Sequence, residues 1–253
     1  MKPTKEERKQ EIHKVIAQYK LDIVKRRSSQ DWPGIARAYK EIAQAYLFIQ
    51  EWDQALDAFE RSCKIYQKLS NKVPLSGIYA SMGNVFYFKS QWDMALKLYE
   101  KGLALKKDLE DWAGIAKIYN NMGSVHARSG NLQEALKWYP RSLEIKEDLE
   151  DLAGKVVTYN NLALVFDLQE DWEKAHQFYN YSLQIKEELG DLLGMSHIWW
   201  SKALVYREQK KYREAIELME RSLAVRQDFG HRDLEGNKAV LAGLKKELSQ
   251  DLE

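Results

Sequence analysis

The sequence predicts an all-α chain, a right-handed α-solenoid of five helical hairpins with an N-terminal helix and a C-terminal capping helix. Three observations predict it. The chain is self-similar at a period of 40 residues, each period carries two apolar stripes of helical spacing, and each period opens on a turn built from Asp and Gly.

Residues 1–30 read as an N-terminal capping helix, in which 4–28 align with the second helix of a hairpin, Ile12 falling under Trp52, Val15 under Ala55 and Tyr19 under Phe59. Residues 1–28 hold nine Lys and Arg against four Asp and Glu. A solvated basic cap accounts for this, and an anchor for an acidic partner is the sharper alternative.

Five blocks follow, at 31–70, 71–110, 111–150, 151–190 and 191–230. In the first helix of each block, helix A, a ring column runs through Tyr39, Tyr79, Tyr119, Tyr159 and Trp199. Four residues on stands a small residue each time, at Ala43, Gly83, Gly123, Ala163 and Ala203. Three further bring Tyr46, Phe86, His126, Phe166 and Tyr206. Spacings of three and four put these on one stripe of a helix. Helix B carries Ala55, Ala95, Ala135, Ala175 and Ala215, then Phe59, Tyr99, Tyr139, Tyr179 and Met219, then Ser62, Gly102, Ser142, Ser182 and Ser222. Small residues let helix axes approach, and a ring one turn away fills the space beside the contact. One hairpin cannot bury its own stripe, so hairpins must stack.

Asp31 to Gly34, Asp111 to Gly114, Asp151 to Gly154 and Asp191 to Gly194 join successive hairpins, with Asn71-Lys72-Val73-Pro74 as the variant. Pro140 falls inside a helix B and predicts a kink on its outer face. Residues 231–253 read as the closing helix, with Val240, Leu241, Leu244 and Leu248 inward and Lys238, Lys245 and Lys246 outward.

The pattern resembles the tetratricopeptide repeat over about residues 31–230: Tyr119-x2-Met122-Gly123-x2-His126, then Ala135-x3-Tyr139. The family's proline after helix B is replaced by Gln67, Lys107, Glu147, Glu187 and Gln227, and each helix B is longer. This 40-residue form is similar to the repeats of kinesin light chain and of bacterial regulatory proteins.

Composition narrows the function. There are 39 basic and 38 acidic side chains, so whole-molecule attraction to nucleic acid or membrane is not indicated. No apolar run approaches a membrane span, and the N-terminus has no secretory character. With a single cysteine, Cys63, the expectation is a cytoplasmic protein with that thiol buried. The five histidines, His13, His126, His176, His197 and His231, form no metal-ligand spacing, and no phosphate loop or paired acid–base set is evident. No catalytic residue, metal or cofactor is predicted.

The resemblance implies that the A helices line a concave groove holding a segment of another protein. Rotation away from the core stripe gives its lining. The first block supplies Lys40, Gln44 and Phe48, with Arg37 and Glu41 beside them. The second supplies Asn84, Tyr87 and Phe88, with Ala80 and Ser81, and the third Lys117, Asn120, Asn121 and Arg128, with Ser124. The fourth supplies Asn160, Asn161, Leu164 and Leu168, with Val157, and the fifth His197, Trp200, Leu204 and Arg207, with Ser201. Asn121 and Asn161 stand where similar proteins place an Asn on the backbone of a bound peptide, while an Asn fixing the neighbouring repeat is the alternative. The set that grips a C-terminal carboxylate in chaperone-binding members is not matched: Lys40 and Lys117 fit, but Gln44, Ser81 and Asn121 do not.

The predicted function is a protein-interaction scaffold or adaptor binding an extended or helical segment, without a small-molecule substrate. A peptide-sensing module acting on a separate output protein, a self-assembling homo-oligomer and an RNA-binding repeat remain as alternatives; the last would need a more basic groove.

Overall fold

The computed structural model describes residues 4–230 and 233–251. These form an all-α fold. Twelve helices run in order: α1 (Lys5–Ser28), α2 (Trp32–Phe48), α3 (Trp52–Lys68), α4 (Lys72–Phe88), α5 (Trp92–Asp108), α6 (Trp112–Arg128), α7 (Leu132–Asp148), α8 (Leu152–Leu168), α9 (Trp172–Glu188), α10 (Leu192–Glu208), α11 (Tyr212–Asp228) and α12 (Leu234–Asp251). His231, counted among the histidines above, lies outside the described residues.

The sequence shows a period of 40, but the backbone repeats every 20. From α2 to α11 every helix is 17 residues long, and three residues connect each to the next. The middle connecting residue is left-handed each time. Gly130 and Gly190 serve two of these turns, and non-glycine residues serve the rest, including Gln50 at φ 61°, Glu110 at φ 54° and Glu150 at φ 52°. That conformation lets the turn close on the last helical carbonyls, as Glu110 N donates to Lys107 O at 3.0 Å and Asp111 N to Lys106 O at 2.9 Å.

Entry into the A helices uses a clip that recurs. Asp31, Asp111, Asp151 and Asp191 accept from the backbone N–H three residues on, at Gly34 (2.9 Å), Gly114 (2.8 Å), Gly154 (2.8 Å) and Gly194 (2.7 Å). A basic side chain five residues upstream grips the same carboxylate: Arg26 on Asp31, Lys106 on Asp111, and Lys186 on Asp191 at 2.6 Å. Lys146, in the matching position, donates to Gly154 O at 3.1 Å and Thr158 Oγ1 at 2.6 Å. The glycines sit inside the helices and break nothing. They make room, since a Cβ at Gly114 would meet Lys106 Cδ at 2.7 Å and Asp111 Oδ2 at 2.8 Å. The variant turn lacks every part at once: Tyr66 replaces the base, Asn71 makes no side-chain cap, and Pro74 has no N–H to give.

The chain divides into two compact units, residues 1–130 and 131–253. In the first, Ile16, Ile23, Ile42, Phe59, Ile78 and Val85 join one buried cluster, and Cys63 lies within it. In the second, Val156, Tyr179, Ile198 and Val205 form a cluster between α8, α9 and α10, and Met219 and Leu244 lie in a neighbouring one. Within hairpins, helix B is tied to helix A by a buried serine: Ser62 Oγ donates to Ala36 O at 2.7 Å, Ser182 to Val156 O at 3.3 Å and Ser222 to Ser196 O at 2.7 Å.

The end helices depart from the expected registers. Val15, aligned with the fully buried Ala55, is 46% exposed, and Ile12, Ile16, Tyr19 and Ile23 face the core. α1 packs chiefly onto α2, and Ile12, Ile16, Tyr19 and Ile23 form the stripe that meets it. Val240 of α12 likewise points out, while Asn237 and Leu244 are buried. At Pro140, where a kink is expected, α7 is assigned as one helix from Leu132 to Asp148, and Pro140 sits on its exposed side with no N–H to give to the Leu136 carbonyl.

Two outcomes follow from the turns. Replacing Glu150 with Gly removes the left-handed penalty on a Cβ and raises stability by about 1 kcal/mol, read by chemical denaturation. Asp111→Ala lowers stability by about 1 kcal/mol at pH 7. Lys106 first, and then the Gly114 N–H, hold the Asp111 carboxyl below its ordinary value. Its contribution is therefore complete above the usual carboxylate range and lost as pH falls through the lowered value, so wild type and variant converge in acid.

Candidate functional site

The geometry of the first unit begins with Gly83 of α4. A Cβ there would stand 2.6 Å from the Tyr99 ring of α5, so glycine lets the ring come this close to the helix. Seated there, the buried Tyr99 hydroxyl donates to Asn84 Oδ1 at 2.6 Å. Asn121 Nδ2 of α6 donates to the same oxygen at 3.1 Å. Burial, with Tyr87 adding to it, raises the Tyr99 phenol well above its usual value, so it remains a neutral donor. Around this node lies a hollow of about 210 Å³ lined by Asn84, Tyr87, Phe88, Tyr99, Asn121 and Ser124. It is smaller than the roughly 300 Å³ at which pockets for whole small molecules begin, and suits one side chain of a longer segment. Phe88 is 60% exposed and stacks on Trp52 with centroids 5.3 Å apart. Tyr87 meets Phe88 edge-on at 5.5 Å, and the Arg128 guanidinium lies 5.4 Å over the Tyr87 ring. Five residues expected to line the A-helix wall, Asn84, Tyr87, Phe88, Asn121 and Arg128, are thus brought together.

Others are placed differently. Phe48 is 71% exposed and Gln44 and Lys117 are exposed, while Lys40 reaches Glu41 at 3.4 Å. Asn120 was expected on the wall but is buried at 8% exposure, because it points about 100° around α6 from Asn121.

In the second unit Val157, Leu164 and Leu168 of α8 and Leu204 of α10 are exposed. Asn160 and Asn161 are half-buried, and Asn160 Oδ1 has no hydrogen-bond partner among the described residues. Two expectations on α10 are corrected. Trp200 packs beside Leu241 of α12 beneath the Arg226 guanidinium, 5.0 Å from its ring. Arg207 donates to Glu247 of α12 at 2.7 and 3.3 Å. α12 therefore lies against Arg207 and the cluster that Trp200 joins. His197 is exposed, with Nδ1 3.2 Å from Arg226 Nη2.

Sequence reasoning took Tyr99 as core and missed its hydroxyl. The tyrosines in a column where Phe59 and Met219 also stand were the available signal, since a buried phenol needs a partner. His176 stacks on Tyr206 at 4.1 Å, and burial, then Lys202 and Lys211, lower it to about 4. No group of three or more His, Cys, Asp or Glu among the described residues could hold a metal ion, and none of their helices is long and apolar enough to cross a membrane.

Comparison with known proteins bears on the same elements. Tetratricopeptide repeat models match residues 114–188, and 78–111 and 201–233. No curated protein matches in sequence. Among solved structures, the chain is similar to BtubC (BKLC) from P. vanneervenii, with a TM-score of 0.74 at 18% identity, covering 87% of this chain and 93% of that one. A putative kinesin light chain with nearly identical repeats from Podospora anserina gives a TM-score of 0.62 at 16% identity over 78% of this chain and 96% of that one. A Rap protein complexed with Competence and Sporulation Factor gives 0.66 at 16% identity over 96% of this chain and 72% of that one. At these identities the likeness is one of fold.

Tyr99→Phe removes the buried donor to Asn84 and costs about 1 kcal/mol, a fall of about 2–4 °C in Tm by calorimetry. The Asn84 and Asn121 side-chain amide resonances shift in the same variant.

Proposed function

The chain belongs to the tetratricopeptide repeat family, and on that premise we propose that it is an adaptor whose A helices hold a segment of a partner protein. The observation that carries this reading is the hollow beside the Asn84–Asn121 node. It places the polar edge of two tethered asparagines beside exposed apolar surface, with Tyr87, Phe88 and Arg128 as its rim. Phe88 is held against Trp52 while much of its ring meets solvent, so burying it costs little ordering and removes apolar area from water.

The exposed leucines of α8 extend the same chemistry in the second unit: Leu164 and Leu168 present an apolar edge beside Asn160 and Asn161. The Rap protein of similar fold is a peptide-complexed structure, which lends the reading support by analogy. Charge favours a polypeptide over RNA, because Lys40 and Arg207 already face Glu41 and Glu247.

Phe88 and Arg128 are exposed, so Phe88→Ser and Arg128→Glu together leave thermal unfolding nearly unchanged. Partners recovered on the wild-type chain from lysate and identified by mass spectrometry fall about tenfold on this double variant. Equal recovery on both proteins removes the A-helix wall as the binding surface.

A further inference from the structure

A second hollow, of about 730 Å³, opens in the first unit between α1 and α3, with α2 as its floor. The floor is Tyr39, Ile42 and Tyr46, which lie on the side of α2 opposite Lys40, Gln44 and Phe48 of the A-helix wall. Ile23 and Val24 of α1 and Ala58 of α3 complete the apolar lining.

The α1 wall departs from the repeat. Val24 is 65% exposed and the adjacent Leu21 58%. Later helices place Arg61, Lys101, Arg141, Tyr181 and Arg221 in the column of Leu21, and Lys64, Ala104, Glu144, Gln184 and Ala224 in that of Val24. A solvent-facing helix gains nothing from two such aliphatic residues unless something covers them.

Charge says what covers them. On α3, Asp53 is held by Lys89 at 2.6 Å and Asp57 by Arg61 at 2.8 Å. On α1, Lys9, Lys14 and Arg26 are likewise paired with carboxylates. Lys20 and Arg27, which line the hollow on either side of Val24, have no carboxylate in reach among the described residues; Lys20 Nζ meets only the Tyr46 hydroxyl, at 3.4 Å. The acidic wall is therefore neutralised and the basic wall is not.

We propose that this hollow docks a short acidic amphipathic helix of a partner protein, at a site separate from the A-helix wall. Apolar side chains of the helix enter between α1 and α3 onto Tyr39, Ile42 and Tyr46, and its acidic flank meets Lys20 and Arg27. Those two cations stand seven residues apart, about 10 Å along α1, so two to three turns of partner helix fill the site.

The test uses a fluorescein-labelled helical peptide of about 14 residues, with leucine at i, i+4, i+7 and i+11 and glutamate on its flanks, in fluorescence anisotropy. The full chain binds it, Lys20→Glu with Arg27→Glu weakens it at least about tenfold, and the analogue with lysine for glutamate does not bind. Val24→Asp weakens it as well, whereas Phe88→Ser leaves it unchanged, which keeps this site distinguishable from the wall. Both cations lie on the exposed side of α1, so circular dichroism and Tm stay at wild-type values. No binding at about 1 mM peptide, equal binding by the charge-reversed variant or the lysine analogue, or loss on Phe88→Ser overturns the proposal. So does tighter Lys20- and Arg27-dependent binding of a single-stranded RNA or of phosphatidylserine vesicles, either of which would show that negative charge alone is recognised.

Discussion

The contact on which the first unit's site depends is a tyrosine ring lying on a glycine. The Tyr99 ring leaves no room for a methyl at Gly83, and from this close seat the phenol oxygen reaches Asn84. Asn84 in turn receives Asn121 from the next helix A. One packing requirement in the core thus sets the direction of polar atoms at the surface. The same small-against-large logic recurs where Ala43, Ala163 and Ala203 are fully buried, but there the small residue carries its own Cβ. The second hairpin is the copy with glycine in this place whose ring and polar partners all lie within one unit.

Much of this was legible in the sequence. A strict period and two stripes per period leave little freedom, because helix phase and hairpin pairing are both fixed by the need to bury Ala55, Phe59 and their counterparts. Outward directions were less legible. Asn120 and Asn121 differ by one residue and read alike, yet the first is buried and the second reaches Asn84. Trp200 and Arg207 look like wall residues until α12 is laid beside them, and a closing helix has no earlier copy from which its contacts could be inferred. At the other end the alignment with helix B put Val15 inward, whereas Ile16 is the buried residue.

The turns held more information than their Asp and Gly alone suggested. A base at positions 26, 106, 146 and 186 keeps the period, and position 66, which has none, precedes the turn that also lacks Asp and Gly. The parts are present together or absent together, because each satisfies another: the carboxylate needs the N–H and the cation, and the cation needs the space that glycine leaves. A charge pair on an exposed surface contributes little by itself, so the value of the clip lies in fixing where a helix A begins.

From α2 to α11, helices of one length are joined by connections of one length. A 40-residue block can be duplicated or deleted in such a gene and the alternation of helix and three-residue connection is preserved. The reach of the chain can therefore change by recombination in whole modules, and each new module arrives with a blank surface on its helix A that later point substitutions are free to write.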